Sequence, residues 1–319
     1  DHTEFLVEPH AIELIESLVR HHDGPFGDSS ALPTYLVAQL TRQHVTVALN
    51  GDGGDELFAG YLRFGACLAA ERIPPQLSRL GHHLLAACPT SSSSHPWLRR
   101  AGRFFSGASR PLLARLQYWV SIFNDDLHSL LRPEVLHDRA AEPIGYPDAL
   151  LAHTADYSPL AKILAINFTT YLPDDLLVKM DRMTMAHGLE GRSPLLDYRL
   201  AEYAASLPDR YKFHRGTTKY ILKTAFADLL PESIRRRGKK GFGVPLGAWF
   251  RGELRDYVQD RLLSPDALSR QYLHPSYVER LVREHLAGVS DHSQRLWAIL
   301  TFEIWLQLAG RNEAPSLRP

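Results

Sequence analysis

The sequence predicts an α/β protein in which a short open sheet of parallel strands is followed by a mainly helical remainder. Three observations predict it. Residues 45–49 (VTVAL) form an apolar, β-branched run that stops at Asn50-Gly51-Asp52-Gly53-Gly54 and passes into an apolar helical run opened by Asp55 and Glu56. Ahead of that unit the pattern reads strand, helix, helix, which is how a parallel sheet with helical crossovers is built. Beyond Ile73 no strand pattern of any length returns, and breaker-rich linkers separate helical stretches. The chain therefore divides into an α/β part over residues 1–72 and a mainly helical remainder over 73–319, packed together as one unit.

In order along the chain, residues 3–7 (TEFLV) read as a strand. Because the first residue is Asp1 and this strand comes so early, the N-terminus is expected to be the cut end of a larger protein. A helix starts at Glu8-Pro9, with Ile12, Ile15, Leu18 and Val19 on one face. Residues 23–28 (DGPFGD) form a loop, after which Ser29 or Ser30 is placed to cap a helix running to about Gln43. Strand 45–49, read as buried, follows directly. Pro74-Pro75 and residues 88–96 look like surface linkers between short helices. Apolar spacing predicts helices over 111–131, 158–170, 172–187, 198–206, 218–229, 252–262, 275–287 and 292–309. In an open α/β sheet, ligands bind beyond the carboxyl ends of the strands. That rule brings residues 50–55 and the crevice near 23–30 to one place.

Composition narrows the function. The chain has 319 residues, 45% apolar and 23% charged, which is ordinary for a globular protein with ample core. Its 36 basic and 36 acidic side chains cancel. That argues against a general nucleic-acid or membrane-surface binder, while local basic clusters remain open. The two cysteines, Cys67 and Cys88, form no CxxC, so a reducing, cytoplasmic setting is expected. The pairs His21-His22 and His82-His83 lack the helical spacing of a zinc pair. No signal peptide or long uncharged apolar stretch occurs.

Four segments carry chemistry. The Gly-rich loop at 50–56 offers backbone N–H groups to an anion, as loops between strand and helix do. It also carries Asp52, Asp55 and Glu56, which would repel phosphate without a cation between them. The loop reads either as a plain turn or as a site for Mg²⁺ with a polyphosphate. It is not a P-loop, since no Lys-Ser/Thr follows the glycines, and it lacks the dinucleotide fingerprint. In residues 171–187 Asp175 and Lys179 stand i, i+4 on a helix beside all three methionines. This is either a salt-bridged surface or a packed, partly buried face. In residues 188–197 Gly188 reads as a helix C-cap, Glu190 and Arg192 straddle a turn, and Asp197 caps the next helix. Residues 235–245 (RRRGKKGFGVP) place five cations in six residues before a turn with Phe242 as anchor. A basic run is usually a solvated face or a nucleic-acid patch. Here Gly238, Gly241 and Gly243 let the backbone approach a ligand, and a lysine would neutralise charge growing on phosphate.

The motifs LNGDGGDELFAGY, DGPFGDSSALPTY, YLPDDLLVKMDRMTMAHGLEGRSPLLD and RRGKKGFGVPL resemble, in this order, the synthetase domain of glutamine-dependent asparagine synthetases of the bacterial AsnB type. The resemblance covers nearly the whole chain and is weakest over 73–157. It implies an adenine nucleotide α-hydrolase-like fold of the N-type ATP pyrophosphatase class, N-terminally truncated here. It implies ATP and Mg²⁺ as cofactors, adenylation of the aspartate side chain, and attack by ammonia from a glutaminase domain to give asparagine, AMP and pyrophosphate. By the match, Asn50, Gly51, Asp52, Gly53 and Lys239 would bind ATP or pyrophosphate, with Asp52 and Lys239 catalytic. Asp55 would meet the metal. Asp28, Ser29, Glu190 and Arg192 are candidates for the substrate pocket. The chain departs from the family in beginning its loop with Asn50 where Ser is usual. It also lacks the SGGxDS pyrophosphate loop and the glutaminase domain with its nucleophilic Cys. Three alternatives follow: a relative amidating another acceptor, a β-lactam synthetase-like enzyme, and an inactive remnant. No nucleic-acid or membrane partner is expected, and a homodimer is compatible with the sequence.

Overall fold

A computed structural model describes residues 2, 4, 11–86, 96–123, 126–137, 148–235, 237–238 and 241–311. The strand expected at 3–7 lies almost wholly outside the described residues, as do Lys239 and the serine run after Thr90. Helix α1 (Ala11–His22) and helix α2 (Ala31–Arg42) follow the expected spacing, burying Ile15, Leu18 and Val19 from one and Leu32, Tyr35 and Ala38 from the other. Ser30 occupies the N-cap position of α2, but its hydroxyl caps nothing: it donates to Asp28 Oδ2 at 2.6 Å, and its N–H donates to Asp28 Oδ1 at 2.9 Å. The aspartate competes successfully for the serine because a charged acceptor makes the stronger bond.

Strand β1 (Val47–Leu49) is shorter than the apolar run that predicts it. It pairs in parallel with β2 (Glu190–Arg192), matching Val47 with Glu190, Ala48 with Gly191 and Leu49 with Arg192. Two sequence expectations are corrected here. Glu190 and Arg192 do not straddle a turn but stand in a strand, and β1 is not buried, since Val47 and Leu49 are exposed. The reason is the same in both cases. A three-residue strand is made by its partner, and Glu-Gly-Arg carries no apolar alternation to announce it. A second pair, β3 (Phe213–His214) with β4 (Thr217–Thr218), is antiparallel, so strand structure does return after Ile73. Its loop passes through Arg215 and Gly216, both at positive φ.

Between the two members of the parallel pair lie α3 (Gly54–Leu57), α4 (Leu62–Ala70), α5 (Pro75–Ala86), α6 (Pro96–Ala108), α7 (Leu112–Val120) and α8 (Pro159–Thr169). A π-helical turn (Leu172–Leu177) then leads into α9 (Val178–Met185), which packs against α2. After β2 come α10 (Tyr198–Ser206), the β3–β4 hairpin, α11 (Tyr220–Ala225), α12 (Leu246–Arg251), α13 (Arg255–Leu262), α14 (Pro275–Leu286) and α15 (Ser293–Arg311). The main core joins the two ends of the chain: Ile15, Leu18, Leu32 and Tyr35 pack with Phe250, Val258, Leu281, Trp297, Leu300 and Ile304. A second core sits under α4, α7 and α8 around Phe64, Cys67, Leu116, Leu160 and Ile163. The described architecture is thus mostly helical with a small parallel sheet, in keeping with an α/β class.

Candidate active site

The parallel register sets the carboxyl ends of β1 and β2 side by side. Asn50 N donates to Arg192 O at 2.8 Å, and Asn50 Oδ1 accepts from Ser193 Oγ at 2.6 Å and from Asp52 N at 3.1 Å. Asn50 is therefore the hinge between the end of one strand and the end of the other. The loop beyond it is open at Gly51, where an added Cβ would meet nothing within 4 Å. It is closed at Gly53, whose φ of +87° is left-handed and where a Cβ would press on Leu196 at 2.2 Å. Glycine is required at Gly53 on both counts.

Asp52 points inward. Its Oδ2 is buried with no hydrogen-bond partner among the described residues. Burial pushes its carboxyl above the usual range; Lys179 opposes that shift, and Glu56 and Asp55 reinforce it. Lys179 reaches this place from α9. It is only 8% exposed, and its Nζ donates to Asp28 Oδ2 at 2.5 Å and Ser30 Oγ at 2.7 Å. Burial tends to raise the Asp28 pKa, but the Lys179 charge and the bonds from Lys179 and Ser30 outweigh it and hold the group low. Asp175, on the π-helical turn, goes the other way. Burial and the adjacent Asp28 carboxylate push it up to about 6 against the pull of Lys179. One buried ammonium thus serves three carboxyl groups, and they respond unequally. π-Helical turns inside helices are often functional sites.

A second set of contacts fixes the helix after the loop. Glu56, 2% exposed, accepts a 2.5 Å bond from Tyr61 Oη. Arg63 lies over the Tyr61 ring at 3.8 Å and the Tyr171 ring at 4.7 Å, and its Nη2 donates to Asn167 Oδ1 at 3.2 Å. Burial raises both phenols, Tyr171 to about 12, so each stays protonated and neutral near pH 7. Asp55 pairs with Lys219 at 3.1 Å. Gly60 makes room for that pair: a Cβ there would fall 1.8 Å from Asp55 Oδ1 and 2.3 Å from Lys219 Cε.

In open α/β sheets, charged small molecules bind at loops of this kind beyond the ends of parallel strands. The family model for asparagine synthase matches residues 1–307. The chain belongs to the asparagine synthase family. It is 32% identical over 294 residues to the glutamine-hydrolysing asparagine synthetase 1 of Bacillus subtilis, covering 91% of this chain and 45% of that protein. The glutamine-hydrolysing asparagine synthetase of Gallus gallus is 33% identical over 137 residues, covering 38% of this chain and 24% of that protein. The chain thus spans less than half the length of these relatives, and the resemblance read from its four motifs is borne out.

For this asparagine synthase-family chain, the structure brings Asn50, Gly51, Asp52 and Gly53 together with Asp28. Ser29 is buried beside them. Arg192 lies at the same strand ends and Glu190 at the opposite end of β2; their side chains are exposed and bond each other, Arg192 Nε to Glu190 Oε1 at 2.7 Å. Lys239 lies outside the described residues; Ile234, Arg237, Gly238, Gly241, Phe242 and Gly243 line an open groove of about 580 Å³. Phe242 is exposed and so anchors nothing in this arrangement, contrary to expectation. Among the described residues no cluster of three or more His, Cys, Asp or Glu forms a metal cage. Sequence reasoning missed Ser193, Arg63 and Lys219, and missed Asp28 as the hydrogen-bond partner of Lys179. Its signal was a lysine set among apolar and methionine positions of α9, a place where an ammonium must find a carboxylate from elsewhere in the fold.

Proposed function

We propose that the protein is the amide-forming part of a glutamine-dependent asparagine synthetase, activating the aspartate side chain with ATP and passing it to ammonia. The observation that carries this reading is the junction at Asn50 and Ser193, which gathers the Gly-rich loop and the Asp28–Lys179–Asp175 cluster at the ends of two parallel strands. The N-type ATP pyrophosphatase fold is part of the reading. So is the division at residue 72, with both parts treated as one domain because they share a core.

The residues fit the groups the reaction needs. The open backbone at Gly51 leaves room for a nucleotide beside Asn50 and Gly53. The unpartnered Asp52 Oδ2 is a carboxylate oxygen that lacks a cation or donor, and Mg²⁺ is commonly held by one or two carboxylates together with phosphate. Asp55 would reach the same ion only by releasing Lys219, so Asp52 is the first contact and Asp55 a second one. ATP supplies the activating nucleotidyl group and Mg²⁺ offsets its polyphosphate charge. Lys239 neutralises charge on the departing phosphate. Asp28, Ser29, Glu190 and Arg192 border the acceptor. Lys179 holds Asp28 ionised, and Asp175 gives up its proton less readily than Asp28.

Pyrophosphate release by the full-length protein tests the reading, with aspartate set against other carboxylates. Aspartate-dependent release is expected. Preference for another carboxylate would move the protein to a related amide synthesis, and no release with any would leave it inactive. Lys239→Ala should cripple release while sparing glutamine hydrolysis, and Asp52→Asn should act the same way. Unchanged release in either variant removes that residue from the chemistry.

A further inference from the structure

The net charge of zero conceals a strongly segregated stretch. Between Glu71 and Asp125 the chain has seven arginines and no acidic residue. One of the seven, Arg115, is buried and bonds Cys67 O, Glu71 Oε1, Ala108 O and Arg110 O. Arg110 lies over the Tyr118 ring at 4.2 Å. Arg72, Arg79, Arg100 and Arg103 are exposed, and the stretch supplies no carboxylate to meet them.

Of these, Arg79, Arg100 and Arg103 stand on the helical hairpin of α5 and α6, which also carries apolar surface that it does not use for its own packing. Ser78 and Gly81 of α5 face inward; Gly81 sits so close to Phe105 of α6 that a Cβ would fall 2.7 Å from the ring. Leu77, Leu80 and Leu84, spaced i, i+3, i+7, form a stripe on another side of α5 and are 57%, 55% and 63% exposed. Trp97, at the start of α6, is 62% exposed. A leucine stripe, a tryptophan and arginines without acids are the composition of a helix that lies in a lipid interface. There leucines enter the acyl boundary, Trp sits at the headgroups and arginine stems reach out to phosphate. A nucleic acid would satisfy the arginines and leave the leucines wet, and an apolar protein groove would do the reverse. No helix among the described residues is long and apolar enough to cross a membrane, so the hairpin would lie on the surface.

We propose that the α5–α6 hairpin is a docking surface for an anionic lipid bilayer, holding the enzyme reversibly against the membrane through its leucine stripe and arginines. The hairpin joins the rest of the fold through α4 and α7.

The test is flotation of the full-length protein with vesicles of phosphatidylcholine alone and with about a third of phosphatidylglycerol added. Binding to the anionic vesicles that falls as salt rises is expected. The combined substitution of Arg79, Arg100 and Arg103 by Gln should weaken it about a hundredfold. The combined substitution of Leu77, Leu80 and Leu84 by Ser should weaken it about tenfold or more while leaving pyrophosphate release unchanged. As a second measurement, an environment-sensitive fluorophore on L80C should shift to the blue when anionic vesicles are added. Three results would overturn the proposal. They are equal binding to neutral vesicles, leucine variants that bind vesicles as well as the parent or bind poly(U) RNA more tightly than lipid, and a label at position 80 shielded by protein before any vesicle is added.

Discussion

Lys179 carries one positive charge into a position where Asp28, Asp52 and Asp175 all respond to it. Removing one partner of a buried pair costs more than removing both, because the survivor keeps its desolvation without its counter-charge. Lys179→Met should therefore destabilise the fold by about 3 kcal/mol, the low end of the usual range, since the Asp28 side chain keeps 26% exposure. Adding Asp28→Asn should restore part of the loss. Chemical denaturation of the two single variants and the double variant checks this, and additive losses would show that the pair is not coupled. Asp175 makes a separate prediction through pH. Its folded pKa, about 6, lies above the ordinary 3.8, so the folded state holds that proton more tightly. This stabilising contribution is complete below pH 3.8 and is lost as pH rises through 6. Asp175→Asn should then gain more stability over the parent at pH 8 than at pH 5, by about 1–2 kcal/mol. An equal offset at both pH values would sink the idea. The sequence put Asp175 and Lys179 at i, i+4 and left a salt-bridged surface or a partly buried face open; Lys179 is buried. The lysine turns to a residue 151 positions away, which local spacing has no means to report.

At the scale of elements, the legible parts were the amphipathic helices. Helix α10 begins and ends where its spacing says, with Asp197 accepting from Arg199 N as its cap. Helices α14 and α15 are off by at most two residues at either end. What failed were β2, which is made by a partner far away in the chain, the β3–β4 pair, whose two-residue strands are too short to show a pattern, and the π-helical turn inside one expected helix. The loop helix α3 is another such element. At four residues it is too short to be stable alone. It is held by the Asp55–Lys219 pair and by the bond from Lys219 N to Phe58 O at 3.0 Å. Lys219→Met should therefore raise hydrogen-exchange rates over residues 54–60 without altering exchange in α14. Since the Gly-rich loop feeds α3, the same variant should raise the KM for ATP more than it lowers kcat. Unchanged exchange at 54–60 would show that the ion pair contributes nothing to the loop.

Across the whole molecule, the loop that the sequence marks as functional is positioned by residues far away in the chain. Helices α1 and α2, which deliver Asp28 and Ser30, bury Ile15, Leu18, Leu32 and Tyr35 against α12, α13, α14 and α15. A division at residue 72 describes a change in texture along the sequence. It does not describe two cores, because the first helices have no apolar partner of comparable size within residues 11–72. The two ends should accordingly open together. Leu300→Ala, at a fully buried position in α15, should cost about 3–5 kcal/mol through lost transfer energy and the cavity left behind. That is a large part of a stability of roughly 5–15 kcal/mol. The loss should appear in hydrogen exchange of α2 as fully as in α15, because an opening that exposes one wall of a shared core exposes the other. Protection that falls in α15 alone would mean that α1 and α2 are held by something else and that the two parts unfold separately. Protection that falls in both would explain how the Asp28–Lys179 contact is kept at 2.5 Å by elements from opposite ends of the sequence.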